Sequence, residues 1–261
     1  MSLNPQYNRL LRNSLLAALA VTAAPVAAQD TMPEERPELA LMGTVPIYWG
    51  EADGFGELLA GEAPGHWARA VLEREYALVP LDYLSAEALA GRDFLLMAQP
   101  RALSGEENVA LDDWVRAGGR VLLLADPMMT GESRFSLGDR RRPQDVALLS
   151  PILGRWGLEL MFDEEQAAGV TMREISGQAV PVNLAGHFEL RPSEVSQCAL
   201  ESGGLIARCR VGEGQATVLA DAALMDVDGP LEGADSALAV LAGLAFGESG
   251  DDAGPDAPAA P

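Results

Sequence analysis

The sequence of 261 residues contains no lysine, and its formal net charge at pH 7 is −21. Proteins that bind nucleic acid or anionic lipid headgroups neutralise phosphates with lysine and arginine, so this composition argues against both kinds of partner. Histidine and cysteine are also scarce, with two of each. We expect no zinc site, because His66 and His187 show none of the ligand spacings that zinc sites use.

Residues 15–21 form an apolar run that follows two arginines, as in the apolar region of a secretory signal peptide. This run ends before Pro25, whereas a membrane-spanning helix needs about 20 apolar residues. Small residues precede Gln29, so we expect cleavage between Ala28 and Gln29. The interpretation is a periplasmic or secreted protein that does not insert into the membrane after cleavage. A signal segment retained as an anchor is the alternative.

The chain after residue 28 divides into three parts by composition. Residues 29–38 form a polar leader, and residues 39–247 alternate apolar runs with helical patterns. Residues 248–261 form an acidic tail rich in proline, alanine and glycine, which cannot bury enough surface to become ordered. The alternation predicts an α/β domain with a doubly wound, mostly parallel sheet of flavodoxin or amidotransferase type.

The individual elements follow from the spacing of apolar residues and from turn residues. Ser104 and Glu107 form a capping box, and Gly118-Gly119 ends the same helix. The predicted helices are 66–75, 85–90, 104–117, 145–156 and 235–246. The predicted strands of the first part are 39–49, 77–81, 93–98, 120–125 and 158–162. Six further strands, over 170–175, 179–184, 187–190, 198–201, 205–211 and 216–220, predict an antiparallel C-terminal extension of the sheet.

The two cysteines flank a glycine pair. Cys198 lies five residues before Gly203, and Cys209 lies five residues after Gly204. A two-residue hairpin loop at these glycines places the cysteines directly opposite each other, at Cα separations of about 4.5 to 5.5 Å that suit a disulfide. We therefore predict a disulfide between Cys198 and Cys209, with two buried reduced thiols as the alternative.

Two segments resemble a known family. Residues 93–104 read DFLLMAQPRALS, and residues 110–127 read ALDDWVRAGGRVLLLADP. This order of strand, proline loop, helix ending in Gly-Gly and strand ending in Asp-Pro resembles the extracytoplasmic domain of gliding-motility-type ABC transporter auxiliary proteins. Those proteins are a non-catalytic branch of the class I glutamine-amidotransferase-like fold. The resemblance covers about residues 90–225, and it implies an accessory or binding role with membrane transporter subunits as partners.

The two turns where this fold carries catalytic residues contain no nucleophile. An enzyme needs a cysteine or serine on the tight turn after a central strand, yet Gln99-Pro100 and Asp126-Pro127 follow the two central strands. We therefore expect no enzyme and no catalytic residues. A degenerate amidotransferase-like hydrolase, with Ser104 near a histidine, and a structural envelope protein are the alternatives.

Four aspartates follow the ends of predicted strands. Asp126, Asp221, Asp226 and Asp228 lie where open α/β sheets have their ligand crevice. Four converging carboxylates would suit a hard cation such as calcium. We expect instead that Asp126 and Asp221 cap turns and that no cofactor is bound, with calcium as the alternative. Residues 128–144 form a long polar loop, and its closure over this crevice would favour ligand binding.

Overall fold

The structure, a computed structural model, describes residues 36–51, 56, 65–226 and 229–247, all of which belong to the unit that begins at Arg36. The predicted signal peptide, its cleavage site between Ala28 and Gln29, and the predicted tail lie outside these residues. None of the helices in the described part of the chain has the length and the apolar character that crossing a bilayer requires.

The described residues include eleven strands and five α-helices. The strands are β1 (Glu38–Gly43), β2 (Ala77–Pro80), β3 (Phe94–Ala98), β4 (Arg120–Leu124), β5 (Leu158–Met161), β6 (Thr171–Ile175), β7 (Gln178–Val182), β8 (His187–Leu190), β9 (Ser196–Glu201), β10 (Ile206–Val211) and β11 (Gly214–Leu219). The helices are α1 (Trp67–Leu72), α2 (Ala86–Leu89), α3 (Gly105–Arg116), α4 (Ser150–Arg155) and α5 (Ala234–Phe246).

Seven of the strands form one sheet in the order β2-β1-β3-β4-β11-β10-β9. The first five run parallel, and β10 is antiparallel to both of its neighbours. Buried residues run almost unbroken along β3 and β4, as expected for parallel strands covered on both faces. The predicted α/β fold with a doubly wound, mostly parallel sheet and an antiparallel extension is confirmed.

The helices lie in two layers. Helix α1 packs against α5, and α5 packs on β4, β7 and β11, whereas α2, α3 and α4 pack in succession against one another. Right-handed crossovers explain this division, because the chain moves from β1 to β2 in one direction and then back past β1 to β3. The capping box at the start of α3 is present as predicted, with Ser104 and Glu107 bonded reciprocally.

Most predicted elements differ from the structure by a few residues at their ends, and two are much shorter than predicted. The first strand ends at Gly43 rather than at residue 49, since residues 44–50 form turns. The helix predicted from residue 145 begins only at Ser150, with Pro151 in its first turn, where proline fits best. The backbone just before it is engaged elsewhere, because the carbonyl of Asp145 accepts from Met129. This long-range bond occupies the carbonyl that a helix starting at residue 145 would need for its own first hydrogen bond.

The antiparallel extension contains fewer strands than predicted. Of the six strands predicted for it, β9 and β10 extend the main sheet as an antiparallel pair, whereas β6 and β7 pair with each other outside that sheet. Strand β8 pairs with β5, which was predicted to belong to the first part of the main sheet. In β6 only Ile175 is buried, whereas a strand inside the main sheet needs apolar residues on both of its faces. The final strand, β11, lies inside the sheet and runs parallel to β4.

Cys198 and Cys209 form the predicted disulfide. They are register partners on β9 and β10, with their Cα atoms 4.0 Å apart. The loop that joins the strands is longer than predicted, because the last pair before it is Glu201 with Ile206. The register is unchanged by this difference, and so the cysteine pairing is correct.

Candidate functional site

The carboxyl ends of parallel strands are where an open α/β sheet places its ligands, and the crevice opens where the strand order reverses. In this sheet the reversal lies between β1 and β3. The backbones of these two strands meet closely at Gly43, where a β-carbon would lie 2.1 Å from the carbonyl oxygen of Ala98. Any crevice at this point therefore begins beyond Gly43.

Gln99 follows β3 directly and has a left-handed backbone conformation, with φ of 45°. A strained turn after a strand is where α/β hydrolases place their nucleophile. The side chain of Gln99 is fully buried, and its Oε1 accepts from the backbone N–H of Asp126 at 2.8 Å. Its Nε2 donates to the carbonyl oxygens of Asp126 at 3.0 Å and Gln144 at 2.9 Å. The turn thus carries an amide that joins β3 to the next strand and to the long loop.

Thr44 and Glu51 hold that loop against the end of β1. The hydroxyl of Thr44 accepts from the backbone N–H of Gln144 at 2.8 Å. The carboxylate of Glu51 accepts from the hydroxyl of Ser133 at 2.6 Å and from the backbone N–H of Arg134 at 3.0 Å. The loop therefore closes over this edge of the sheet. The Thr44 hydroxyl and the Glu51 carboxylate, which could otherwise contact a ligand, are hydrogen-bonded to the loop.

Asp126 and Asp221 lie side by side at this edge. Each comes two residues after the last residue of its strand, and these last residues, Leu124 of β4 and Leu219 of β11, are register partners. Both aspartates are fully buried. The parallel pairing therefore brings together two carboxyl groups that are 95 residues apart in the sequence.

Each of these two carboxylates accepts two backbone N–H groups. The donors are Met128 (2.7 Å) and Ala222 (3.0 Å) for Asp126, and Ala223 (2.7 Å) and Asn183 (3.0 Å) for Asp221. Buried carboxylates bonded in this way fix the turns that follow their strands. This arrangement matches the alternative in which both residues cap turns.

Burial raises the pKa of both acids. It raises the pKa of Asp126 to about 6, against the opposing effect of the N–H groups of Met128 and Ala222. It also raises the pKa of Asp221 well above the usual value, and the neighbouring Asp126 carboxylate raises it further. Two buried carboxyl groups that repel each other do not ionise together, so we expect the pair to keep one proton near neutral pH.

Asp226 is the one further aspartate of the predicted crevice that the structure describes. Asp226 is half-buried and ends the 3₁₀ turn Ala223–Met225, where its carbonyl accepts from the indole N–H of Trp67 at 3.4 Å. Asp228 lies outside the described residues. Within the described ranges no three His, Cys, Asp or Glu side chains are grouped so that they could hold a metal ion. The expectation of no cofactor, with calcium as the alternative, stays a prediction.

Ser104 and the histidines do not form a nucleophile and base pair in the described part of the chain. The hydroxyl of Ser104 accepts from the N–H of Glu107 at 3.1 Å and lies 3.4 Å from the hydroxyl of Tyr83. His66 caps α1, since its Nδ1 accepts from the N–H of Ala68 at 3.2 Å. Burial lowers the pKa of His66 to about 4, so this histidine is neutral near pH 7.

A groove of about 270 Å³ opens elsewhere on the surface, beside the β6–β7 hairpin and the start of β8. Its polar side chains include those of Asp163, Gln166, Arg173 and His187. The sequence analysis predicted none of them as a ligand-binding residue. They belong to different turns and strands, so no local spacing in the sequence could have pointed to the groove.

No family model and no curated protein matches this chain. Among solved structures, exo-beta-1,4-mannosidase Op5Man5 from Opitutaceae bacterium strain TAV5 is 15% identical over 81% of this chain and 36% of that chain, with a TM-score of 0.45. A beta-galactosidase from Bacillus circulans sp. alkalophilus is 12% identical over 80% of this chain and 30% of that one, with a TM-score of 0.44. The N-terminal domain of mmIFT52 is 11% identical, over 79% and 95%, with a TM-score of 0.46. This chain thus spans about a third of the length of the glycosidases.

Proposed function

We propose that this chain is an exported, non-catalytic domain of the periplasm that serves as an accessory or binding subunit beside an ABC-type transport system. Its resemblance to the gliding-motility-type ABC transporter auxiliary proteins is the basis for the transport setting. The disulfide between Cys198 and Cys209 supports export, because disulfides form and persist in oxidising compartments.

Gln99 is the observation that carries the non-catalytic part of the proposal. It occupies the strained turn after the central strand β3, which is the position where hydrolases of this general architecture place their nucleophile. A glutamine amide is not a nucleophile, and both ends of this one are bonded to backbone groups. These bonds support a structural role for this turn.

Export and partnership are tested on the tagged full-length chain in its own organism. We expect the protein in the periplasmic fraction, with its N-terminus at Gln29. Affinity purification in a mild detergent should then enrich an ABC-type permease or ATPase subunit over a tagged, unrelated exported protein. A cytoplasmic location would overturn the proposed export. Repeated absence of every transporter subunit would overturn the transport role.

The non-catalytic part is tested separately, with reagents that label activated nucleophiles. The purified mature chain should resist a fluorophosphonate probe for activated serines and should release no ammonia from glutamine. Stoichiometric labelling of any serine would favour the degenerate hydrolase instead, and replacement of the labelled serine by alanine would then locate the nucleophile.

A further inference from the structure

The groove beside the β6–β7 hairpin is built from parts that the main sheet holds in place. The backbone N–H of Gly186 donates to the carbonyl of Ala220, at the end of β11, at 2.8 Å. Asn183 donates its N–H to the buried carboxylate of Asp221, and its side chain accepts from Gly169 at 2.9 Å. The wall of the groove is therefore formed before any ligand arrives, as in most small-molecule sites.

Leu184 in this wall has a strained backbone, with φ of 54°. A leucine in the left-handed region is strained, and such residues concentrate at ligand-binding and active sites. The neighbouring anchors at Asn183 and Gly186 are the contacts that hold Leu184 in this conformation. The strain is thus maintained by the same bonds that shape the groove.

Two side chains of opposite charge, those of Arg173 and Asp163, line the groove, and no ion pair joins them. The guanidinium of Arg173 donates to the carbonyl of Ser202 at 3.1 Å, and it forms no ion pair with any other described residue. Asp163 accepts through Oδ1 from the N–H of Glu165 at 2.9 Å, and it too forms no ion pair within the described ranges. Each charge is available to a ligand, and the neutral amide of Gln166, which donates to the carbonyls of Asp163 and Ala185, lines the same groove.

We infer that this groove binds a small zwitterion, with the ligand's carboxylate on Arg173 and its ammonium on Asp163. Guanidinium is the side chain best matched to a carboxylate, because it donates two parallel hydrogen bonds. A zwitterion also has no net charge. The strongly acidic protein therefore does not repel it, as it would repel a simple anion, and does not attract it non-specifically, as it would attract any cation. The volume suits an amino acid or a dipeptide rather than a larger molecule.

The inference rests on the proposed binding role but not on the transporter partner. Isothermal titration of the mature chain tests it with glycine, 4-aminobutanoate, 6-aminohexanoate and L-alanyl-L-alanine, each up to about 10 mM. We expect at least one of them to bind, and the best length measures the separation of the two charges. Its N-acetyl and carboxamide derivatives, which lack one charge each, should bind at least tenfold more weakly. Binding by none of the four, or equal binding of the derivatives, would overturn the inference.

Charge exchange distinguishes ligand contacts from a structural role. Arg173→Gln and Asp163→Asn should each weaken binding about tenfold, whereas the matched surface variants Arg210→Gln and Glu164→Gln should leave it unchanged. The double variant Arg173→Asp with Asp163→Arg should restore binding, because the same zwitterion then fits in the reverse orientation. Loss of binding in both single variants without recovery in the double variant, at unchanged circular dichroism, would overturn the assigned contacts. Failure of these titrations would leave the partner experiment unaffected, and the reverse is also true.

Discussion

Asp126 and Asp221 stand at matching positions beyond two neighbouring parallel strands, and the carboxylate of Asp126 raises the pKa of Asp221. In an unfolded chain both acids ionise near pH 3.9, while in the folded protein they keep their protons to higher pH. The folded state therefore binds more protons in this window, and its stability declines with pH. We expect the free energy of unfolding contributed by this pair to fall between about pH 4 and pH 7. Urea melts across that range measure it.

The variant Asp126→Asn should flatten this pH dependence, because it removes one charge and the repulsion on Asp221. Its absolute stability should also fall, since the amide nitrogen of asparagine cannot accept the N–H of Ala222. The slope with pH is therefore the decisive quantity. Glu213→Gln, at an exposed carboxylate, is the matched control and should keep the original slope. An unchanged slope in Asp126→Asn would contradict the shared proton.

Glu107 has the opposite dependence on pH. Burial opposes its ionisation, but the hydrogen bonds from Arg101, Ser104 and Leu84 outweigh burial and lower its pKa to about 2. This stabilisation is present above the unfolded pKa and is lost as the pH falls toward 2. We expect Glu107→Gln to cost about 2 kcal/mol at pH 7, because charged hydrogen bonds are lost, and to cost less at acid pH.

The control for this variant is Glu106→Gln, one residue earlier on the same helix. Glu106 is exposed and accepts only from the hydroxyl of Tyr83 at 3.1 Å among the described contacts. Its replacement should change the unfolding free energy by less than about 0.5 kcal/mol, as is usual at exposed positions. Equal losses in the two variants would show that helix charge, and not the buried carboxylate, supplies the stability.

Gly43 tests the close approach of β1 and β3. A β-carbon there would lie 2.1 Å from the carbonyl oxygen of Ala98, which belongs to the backbone and cannot rotate away. We expect Gly43→Ala to destabilise the protein by about 3 kcal/mol, as overpacking in a core does. Gly105→Ala is the matched control, because a β-carbon at Gly105 meets nothing within 4 Å. Chemical denaturation of both variants decides the comparison.

The disulfide gives a prediction on redox state. Replacement of Cys198 and Cys209 by alanine should cost about 2 to 3 kcal/mol, the loss expected for a bond that closes so short a loop. A reductant should lower the melting temperature of the wild-type chain to that of the double variant and should leave the double variant unchanged. A wild-type chain insensitive to full reduction would contradict a stabilising role.

Features that depend on neighbours in the sequence were predictable. Ser104 and Glu107 are three residues apart, and the cysteines are symmetric about a glycine pair, so local spacing was enough to predict the capping box and the disulfide. The helix predicted from residue 145 was too long because the carbonyl of Asp145 bonds to Met129, which no helical pattern reveals. Local propensity gave way there to a tertiary bond.

The candidate sites could also be predicted only as far as local sequence patterns allow. Asp126 and Asp221 were predicted to lie together because each follows the end of a strand, where open α/β sheets have their ligand crevice. The parallel pairing of β4 with β11 that brings them together was not predicted. Their bonds to backbone N–H groups depend on turn geometry that the sequence does not specify. The left-handed conformation of Gln99 was equally hidden, because glutamine carries no preference for it. The charges of Arg173 and Asp163 share a groove only through the folding of the β6–β7 hairpin beside β8.

Among the described strands, β9 is the outermost strand of the main sheet, and it pairs there with β10. The disulfide joins β9 to β10. An outer strand is the piece of a sheet that most easily peels off and is exchanged with a second molecule. The covalent link prevents that exchange for as long as it stays oxidised. Reduction removes this covalent link, so we expect exchange of β9 between molecules to be easier when the chain refolds reduced at high concentration.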